Sequence, residues 1–346
     1  MSEQCSNCIV TEQGYTVLFQ EEMSFEALDL YLKKQPATHW RKIDSSLHWM
    51  KEPLFHEILD YATAHLDTDR IKAVPADRED PLRSLEHLRP IAEFQAQREA
   101  HWIDEVIRQT AIRTYYQPIV ALEGEAVRTV GYELLSRGVD ADGGLIPPNR
   151  LFEAARVRNR LFALDRVCRL EAVKNAAGLD GQMIFINFLP TTIYNPEHCL
   201  QSTFAMVQKY GIDPSSIIFE VVESEEIRNM DHLRRILQYY KDHGFRFALD
   251  DVGTGYNSLE VLAELKPDVV KLAIEYTRGV SRDAEKRRIA EAVVRMTHTM
   301  GSQALAEGVE DAEDLACLRE MGYDLFQGYY FGKPGPVPVL AEVQIK

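Results

Sequence analysis

Long apolar runs are missing from this chain: no stretch reaches the ~18 consecutive apolar residues that a membrane helix needs. The N-terminus, Met1-Ser2-Glu3-Gln4, lacks the basic and then hydrophobic order of a secretory signal. Together these absences predict a soluble, cytoplasmic protein without a membrane span. Positive charge is also in deficit, with 39 Lys and Arg against 54 Asp and Glu and a formal net charge of −15. Phosphate backbones are bound mainly by Lys and Arg, so this balance argues against a DNA or RNA surface. An anionic ligand would need local help, most simply from metal ions. Cysteine is scarce, and five scattered residues do not make a disulfide framework. Cys168, Cys199 and Cys317 read as reduced packing residues. Cys5 and Cys8 form a C-x-x-C pair, which can bind zinc or act in redox chemistry, with His39, His48, His56 and His65 as the available distant partners.

At 346 residues the chain has length for about two domains. Residues 1–87 read as a small α+β domain. Tyr15-Thr16-Val17-Leu18-Phe19 has strand character, Ser24 can cap a helix through Lys33, and a second helix is predicted over Phe55–Leu66. Trp40, Trp49 and Trp102 all fall in the first 102 residues, where core packing accounts for them as well as a ligand pocket does. Over 88–112, Leu88, Ile91, Phe94, Ile103, Val106, Ile107 and Ile112 recur among charges, which predicts an amphipathic linker helix. No phosphate-binding loop or haem signature appears in this region.

After Thr114 the texture changes to repeated units: an apolar strand, a polar residue at its end, then a helical segment. The strand candidates end at Glu133, Asn187, Glu220, Asp250-Asp251, Lys271, Glu307 and Gln327. Spacings of roughly 20–35 residues match single βα units, and seven of them over 113–346 point to a (β/α) barrel. The wider gap before Asn187 has room for helices around 149–157 and 161–176. A barrel gathers the C-terminal ends of its strands on one face, so these polar residues become one site. Glu133, Asn187, Glu220, Asp250 and Asp251 offer only oxygen ligands, which suits Mg²⁺ or Mn²⁺ better than Zn²⁺. Adjacent Asp250 and Asp251 can serve two ions. Lys271 and Glu307 can orient a water or move its proton. A single Glu or Lys at a strand end is often only a solvated rim residue, but the convergence of seven such positions favours phosphodiester hydrolysis.

The set Tyr116-Gln117-Pro118-Ile119-Val120, Glu133-Leu134-Leu135-Ser136-Arg137, Ile186-Asn187-Phe188, Glu220-Val221-Val222-Glu223-Ser224, Asp250-Asp251-Val252-Gly253-Thr254-Gly255-Tyr256, Lys271-Leu272-Ala273, Ala306-Glu307-Gly308-Val309-Glu310 and Gln327-Gly328-Tyr329 resembles the EAL family in order and spacing, from about 113 to the C-terminus. The resemblance implies a modified TIM barrel with a smaller N-terminal α+β domain. It also implies binding of cyclic di-GMP and, in active members, hydrolysis to linear pGpG with two Mg²⁺ or Mn²⁺ ions. By the same resemblance Glu133, Asn187, Glu220 and Asp250 are ligands of a first metal, and Asp251 serves a second. Lys271 and Glu307 match the catalytic lysine and glutamate. Gln117, Leu135, Arg137 and Gln327 shape the site or contact the ligand, and Glu223 steadies the loop after Asp251. The resemblance further implies a homodimer and leaves room for a protein partner on the N-terminal domain. The motif reads Glu133-Leu134-Leu135, with Leu134 at a position that varies in the family, and two further departures carry more weight. Val222 stands where threonine is usual, and Ala273 stands where a carboxylate is usual, which predicts a weaker second-metal region and a slower reaction. A phosphodiesterase, a non-enzymatic cyclic di-GMP receptor and a pure protein-interaction module are therefore the competing readings.

Overall fold

The computed structural model describes residues 14–20, 26–221, 230–253, 262 and 264–341. The chain divides into two compact units. One comprises Gln109–Leu151 and the chain from Leu161 onward; the other comprises Ile9–Arg108 with Phe152–Arg160.

In the N-terminal unit, strands β1 (Gly14–Phe19), β2 (Trp40–Lys42), β3 (Leu47–Lys51), β4 (Ile71–Pro75) and β5 (Arg89–Pro90) form an antiparallel sheet in the order β2-β3-β1-β4-β5. Tyr15, Val17 and Phe19 alternate along β1 and are fully buried, the period that puts one strand face against a core. Helix α1 (Glu26–Lys33) brings Leu28 and Leu32 to that core. Helix α2 (Glu52–His65) brings Leu54, Phe55, Ile58, Leu59 and Ala62, at helical spacing. Tyr15 stacks on Phe55 at 4.0 Å, and Phe94 meets both rings edge-on.

The apolar residues expected on a linker helix do turn inward, but the helix is broken. The stretch runs through β5, a 3-10 turn at Ile91–Phe94, then α3 (Gln95–Glu99) and α4 (Trp102–Arg108), with Ile91, Phe94, Ile103, Val106 and Ile107 buried. Pro90 lacks an amide hydrogen and biases the residue before it toward extended backbone, so Arg89 pairs with β4 instead of joining a helix.

The second unit is a closed eight-stranded barrel. Its strands are β6 (Ile112–Glu123), β7 (Ala126–Val139), β9 (Met183–Phe188), β10 (Ile217–Val221), β11 (Arg246–Val252), β12 (Val269–Leu272), β13 (Gln303–Ala306) and β14 (Leu325–Gln327). The order is β6-β14-β13-β12-β11-β10-β9-β7, closed by a β6–β7 hairpin, with the two-residue β8 (Leu145–Ile146) beyond β7. Strands β7 and β9–β14 run parallel, while β6 runs against both its neighbours. That antiparallel strand distinguishes the fold from a regular TIM barrel. Helix α5 (Pro148–Val157) starts in this unit, and its residues from Phe152 on belong to the other; α6 (Leu161–Ala176), α7 (Pro196–Cys199), α8 (Gln201–Tyr210), α9 (Met230–Asp242), α10 (Ile274–Thr277), α11 (Ala284–Thr299) and α12 (Ala312–Met321) connect the strands. Cys168, Cys199 and Cys317 are buried and unbridged, as packing residues should be. Cys5 and Cys8 lie outside the described residues, as does Ser24. No helix among the described residues is long and apolar enough to cross a membrane.

Candidate active site

Strand periodicity places the site. Ile119, Phe185, Ile218, Ala248, Val269, Leu305 and Leu325 fill the barrel interior as one apolar layer. Side chains on one strand face recur every second residue. Two residues further along the parallel strands stand Asn187, Glu220, Asp250, Lys271, Glu307 and Gln327, and two residues back along the antiparallel β6 stands Gln117. The next interior layer is therefore polar. Register confirms the alignment: Glu220 lies beside Asn187, and Gln117 lies opposite Glu133.

Lys271 is fully buried at the centre of this layer. Its Nζ lies 2.6 Å from Glu220 Oε1, 3.1 Å from Asp250 Oδ1 and 4.0 Å from Glu133 Oε2, and it also contacts Glu307 Oε1. Asn187 Nδ2 donates to Glu133 Oε1 at 2.8 Å, and Gln327 Nε2 donates to Glu133 Oε2 at 2.7 Å. Four carboxylates thus surround one ammonium. Burial and the neighbouring acids push the carboxyls of Glu220 and Glu307 well above the usual range, against the pull of Lys271. Burial alone would lower the Lys271 ammonium, but Asp250, Glu133, Glu220 and Glu307 together hold it well above its ordinary value. Lys271 is consequently a fixed cation and donor. Glu220 Oε2 has no hydrogen-bond donor among the described residues, and Oε1 has only the Lys271 ammonium at 2.6 Å. A buried carboxylate left short of donors, inside a cluster with surplus negative charge, fits a divalent cation.

Asp250 and Asp251 sit on a β-bulge, where pairing with β12 slips between Leu249 and Val252. Asp251 has φ of +54°, a left-handed conformation that Asp tolerates better than most residues, and its amide donates to Asp250 Oδ1 at 3.0 Å. The bulge lets two adjacent residues serve one pocket: oxygens of Asp250, Asp251 and Glu307 lie within 4.8 Å of one another. Burial, and then Asp250, raise the Asp251 carboxyl. Beside this cluster the chain leaves β12 at Ala273, which is buried and donates its amide to the Val252 carbonyl at 3.2 Å. Gly308, directly after Glu307, has φ of +65°, and a Cβ there would come within 2.1 Å of Ile274, so only glycine fits.

The other expected residues take varied positions. Arg137 lies on β7 four residues beyond Glu133, its guanidinium over the Tyr115 ring at 5.5 Å and bonded to the Ser136 carbonyl. Burial lowers its pKa. Leu135 is half-buried and faces Tyr115 across the hairpin. Glu223 and Val222 lie outside the described residues. A feature the sequence did not disclose is a buried pair on α6, Asp165 and Arg169, with Arg169 Nε 2.9 Å from Asp165 Oδ2. Its only signal was an acid flanked by Leu164 and followed four residues later by a base, a pattern common on solvated helix faces.

Comparison with known proteins bears on this geometry. The chain is 28% identical over 260 residues to the cyclic di-GMP phosphodiesterase NbdA of Pseudomonas aeruginosa, a match covering 74% of this chain and 32% of the relative. It spans about a third of the length of the first curated relatives it matches. A standalone EAL protein from Vibrio cholerae O395, in its c-di-GMP-bound form, aligns with TM-score 0.57 and 33% identity over 65% of this chain and 92% of that one. An EAL domain protein from Listeria monocytogenes EGD-e aligns with TM-score 0.60 and 28% identity over 69% and 94%. The EAL domain family model matches residues 99–334, the segment that supplies every charged residue around Lys271, and the chain belongs to the EAL domain family.

Proposed function

We propose that the barrel hydrolyses cyclic di-GMP to linear pGpG, under the control of the N-terminal unit. The observation that carries this reading is the buried Lys271 ringed by Glu133, Glu220, Asp250 and Glu307, with more negative charge than one ammonium balances. Glu133, Asn187, Glu220 and Asp250 would hold one Mg²⁺ or Mn²⁺, and Asp251 with Asp250 would hold a second. Such ions supply Lewis acidity and a more acidic water. Lys271, as an ammonium, donates to the attacking water and fixes its direction. Glu307, whose carboxylate lies within 4.8 Å of Asp250 and Asp251, would take up the proton of that water. In the net reaction the water oxygen joins phosphorus, one bridging P–O bond breaks, and the leaving sugar oxygen gains a proton. Gln117, Leu135, Arg137 and Gln327 shape the ligand pocket.

The direct test is incubation of the purified chain with cyclic di-GMP and Mn²⁺ or Mg²⁺, followed by chromatography of the products. Formation of pGpG supports hydrolysis; its absence under both metals, with folded protein, refutes it. A second reading is favoured by Ala273: a receptor that binds cyclic di-GMP without turnover and signals through the N-terminal unit or a protein partner. Calorimetric binding in the absence of product identifies it. A homodimer belongs to either reading, and sedimentation velocity measures it.

A further inference from the structure

The turn that follows Asn187 is held from outside the barrel. Strand β9 ends at Phe188, and a 3-10 turn at Pro190–Thr192 follows. The Asp165 carboxylate on α6 reaches this turn. Oδ1 accepts the Leu189 amide at 3.0 Å, and Oδ2 lies 3.0 Å from Thr192 Oγ1 and 2.9 Å from Arg169 Nε. The Thr192 hydroxyl is also 2.7 Å from the Leu189 carbonyl, and its one proton serves a single acceptor at a time. Arg169 continues the chain to Thr203 Oγ1 on α8 at 2.7 Å. Asp165 and Arg169 are each only 2% exposed.

A buried ion pair gains little over an apolar pair of the same volume, because desolvation offsets its attraction. Stability alone is therefore a weak reason for this carboxylate. Its remaining acceptor capacity goes to the turn, one residue beyond Phe188 and two beyond Asn187. We infer that Asp165 is a positioning residue for the metal site, clamping the turn after β9 so that Asn187 stays aimed at Glu133 and the pocket between them. The inference rests on the proposed metal-dependent reading of that pocket. Asp165 touches neither ligand nor reacting atoms; it acts through the backbone of Leu189.

The test is Mn²⁺ binding to the full chain without nucleotide, by calorimetry and by the electron paramagnetic resonance of bound Mn²⁺. Asp165→Ala should weaken Mn²⁺ binding by ~10–100-fold, the usual cost of losing an outer partner of a metal ligand. Asp165→Asn, which keeps an acceptor for the Leu189 amide, should recover part of that loss. Tyr323→Phe is the control: it removes a buried hydroxyl bond to the Ala290 carbonyl, lowers the melting temperature and should leave Mn²⁺ affinity unchanged. Should Asp165→Ala fail to fold, Thr192→Val keeps the ion pair and should still weaken binding by roughly threefold, the size of one modest hydrogen bond. Wild-type Mn²⁺ affinity in the folded Asp165 or Thr192 variants overturns the inference alone. A wild-type chain that binds no Mn²⁺ overturns the metal reading and the positioning role together.

Discussion

Replacing Lys271 by methionine keeps the volume of the side chain and removes its charge, which isolates the electrostatics of the site. At an effective dielectric of about 20, the 2.6 Å contact with Glu220 alone corresponds to about 6 kcal/mol of gross attraction, before desolvation is subtracted. Removing one partner from a buried ion cluster costs ~3–5 kcal/mol, because the remaining charges stay buried. Burial and the neighbouring acids raise the Glu220 and Glu307 carboxyls, which eases their protonation once the ammonium is gone, so the lower end of that range applies. At ~2–4 °C per kcal/mol for a unit of 150–250 residues, the metal-free melting temperature should fall by about 6–12 °C. Mn²⁺ should restore part of the loss, since a ligand at 100 times its Kd adds ~2.7 kcal/mol. Turnover should still fall by ~10²–10³, the range for losing one preorganised donor at the reacting centre. The assay is a thermal melt in chelator and in Mn²⁺, with product chromatography alongside. A metal-free melting temperature within about 2 °C of wild type would refute the reasoning, because the four carboxylates would then not depend on this ammonium.

Three further outcomes are expected. Ala273→Asp adds a carboxylate beside Asp250, Asp251 and Glu307; it should lower the metal-free melting temperature, enlarge the Mn²⁺-induced rise and speed turnover by ~10-fold, and an unchanged rate with an unchanged metal response would show that Ala273 is not the deficit. The pH dependence of stability should carry the mark of the raised carboxyls. Glu220, Glu307 and Asp251 hold protons in the folded state at pH values where the unfolded chain has lost them, so their contribution to metal-free stability falls as pH rises from about 4 through their elevated values; chemical denaturation across pH should show that slope, flattened by Mn²⁺, and a rising slope over this window would contradict it. In the N-terminal unit, Arg158→Met should cost ~3–5 kcal/mol in urea unfolding, because it leaves Glu52 and Asp104 buried without their shared guanidinium, and a loss below ~1 kcal/mol would contradict that assignment.

The strand ends were legible because a barrel changes its chemistry abruptly along one face. Ile218 is apolar and Glu220 acidic; Val269 is apolar and Lys271 basic; Leu305 is apolar and Glu307 acidic. Alternation followed by a polar residue at the same phase is a local signal, and seven repetitions of it indicate closure. The eighth strand was harder to place. Pro118 lies within β6 and removes a ladder donor, a feature of edge strands and bulges, yet here it pairs opposite Tyr132 just before a register shift at Ile119 and Val120. The antiparallel direction of β6 comes from the hairpin at Gly124, whose φ of +66° suits a tight reversal. Asp165 was illegible for a different reason. A single acid on a helix looks the same in sequence whether it faces water or a turn across the sheet, and only the fold shows that its partners are Leu189 and Thr192.

Charge balance separates two acidic clusters that simple proximity treats alike. Glu52, His101 and Asp104 in the N-terminal unit bring ligand-type atoms as close together as Asp250, Asp251 and Glu307 do in the barrel. In the first cluster Arg158 Nη1 lies 2.6 Å from Glu52 Oε1 and Nη2 lies 2.5 Å from Asp104 Oδ2, while Arg160 Nε lies 3.1 Å from Asp104 Oδ1. Two carboxylates face two guanidiniums, and the Tyr15 hydroxyl donates a further bond to Glu52. A divalent cation entering there would have to displace an arginine from a satisfied pair, leaving the guanidinium buried and unmatched. In the barrel four carboxylates crowd the Lys271 ammonium, with Asp251 alongside and Glu220 Oε2 without a donor among the described residues. Added positive charge relieves that cluster and would strain the other. The same physical rule that makes the first group a structural knot therefore makes the second the place where this fold has reason to take a metal ion.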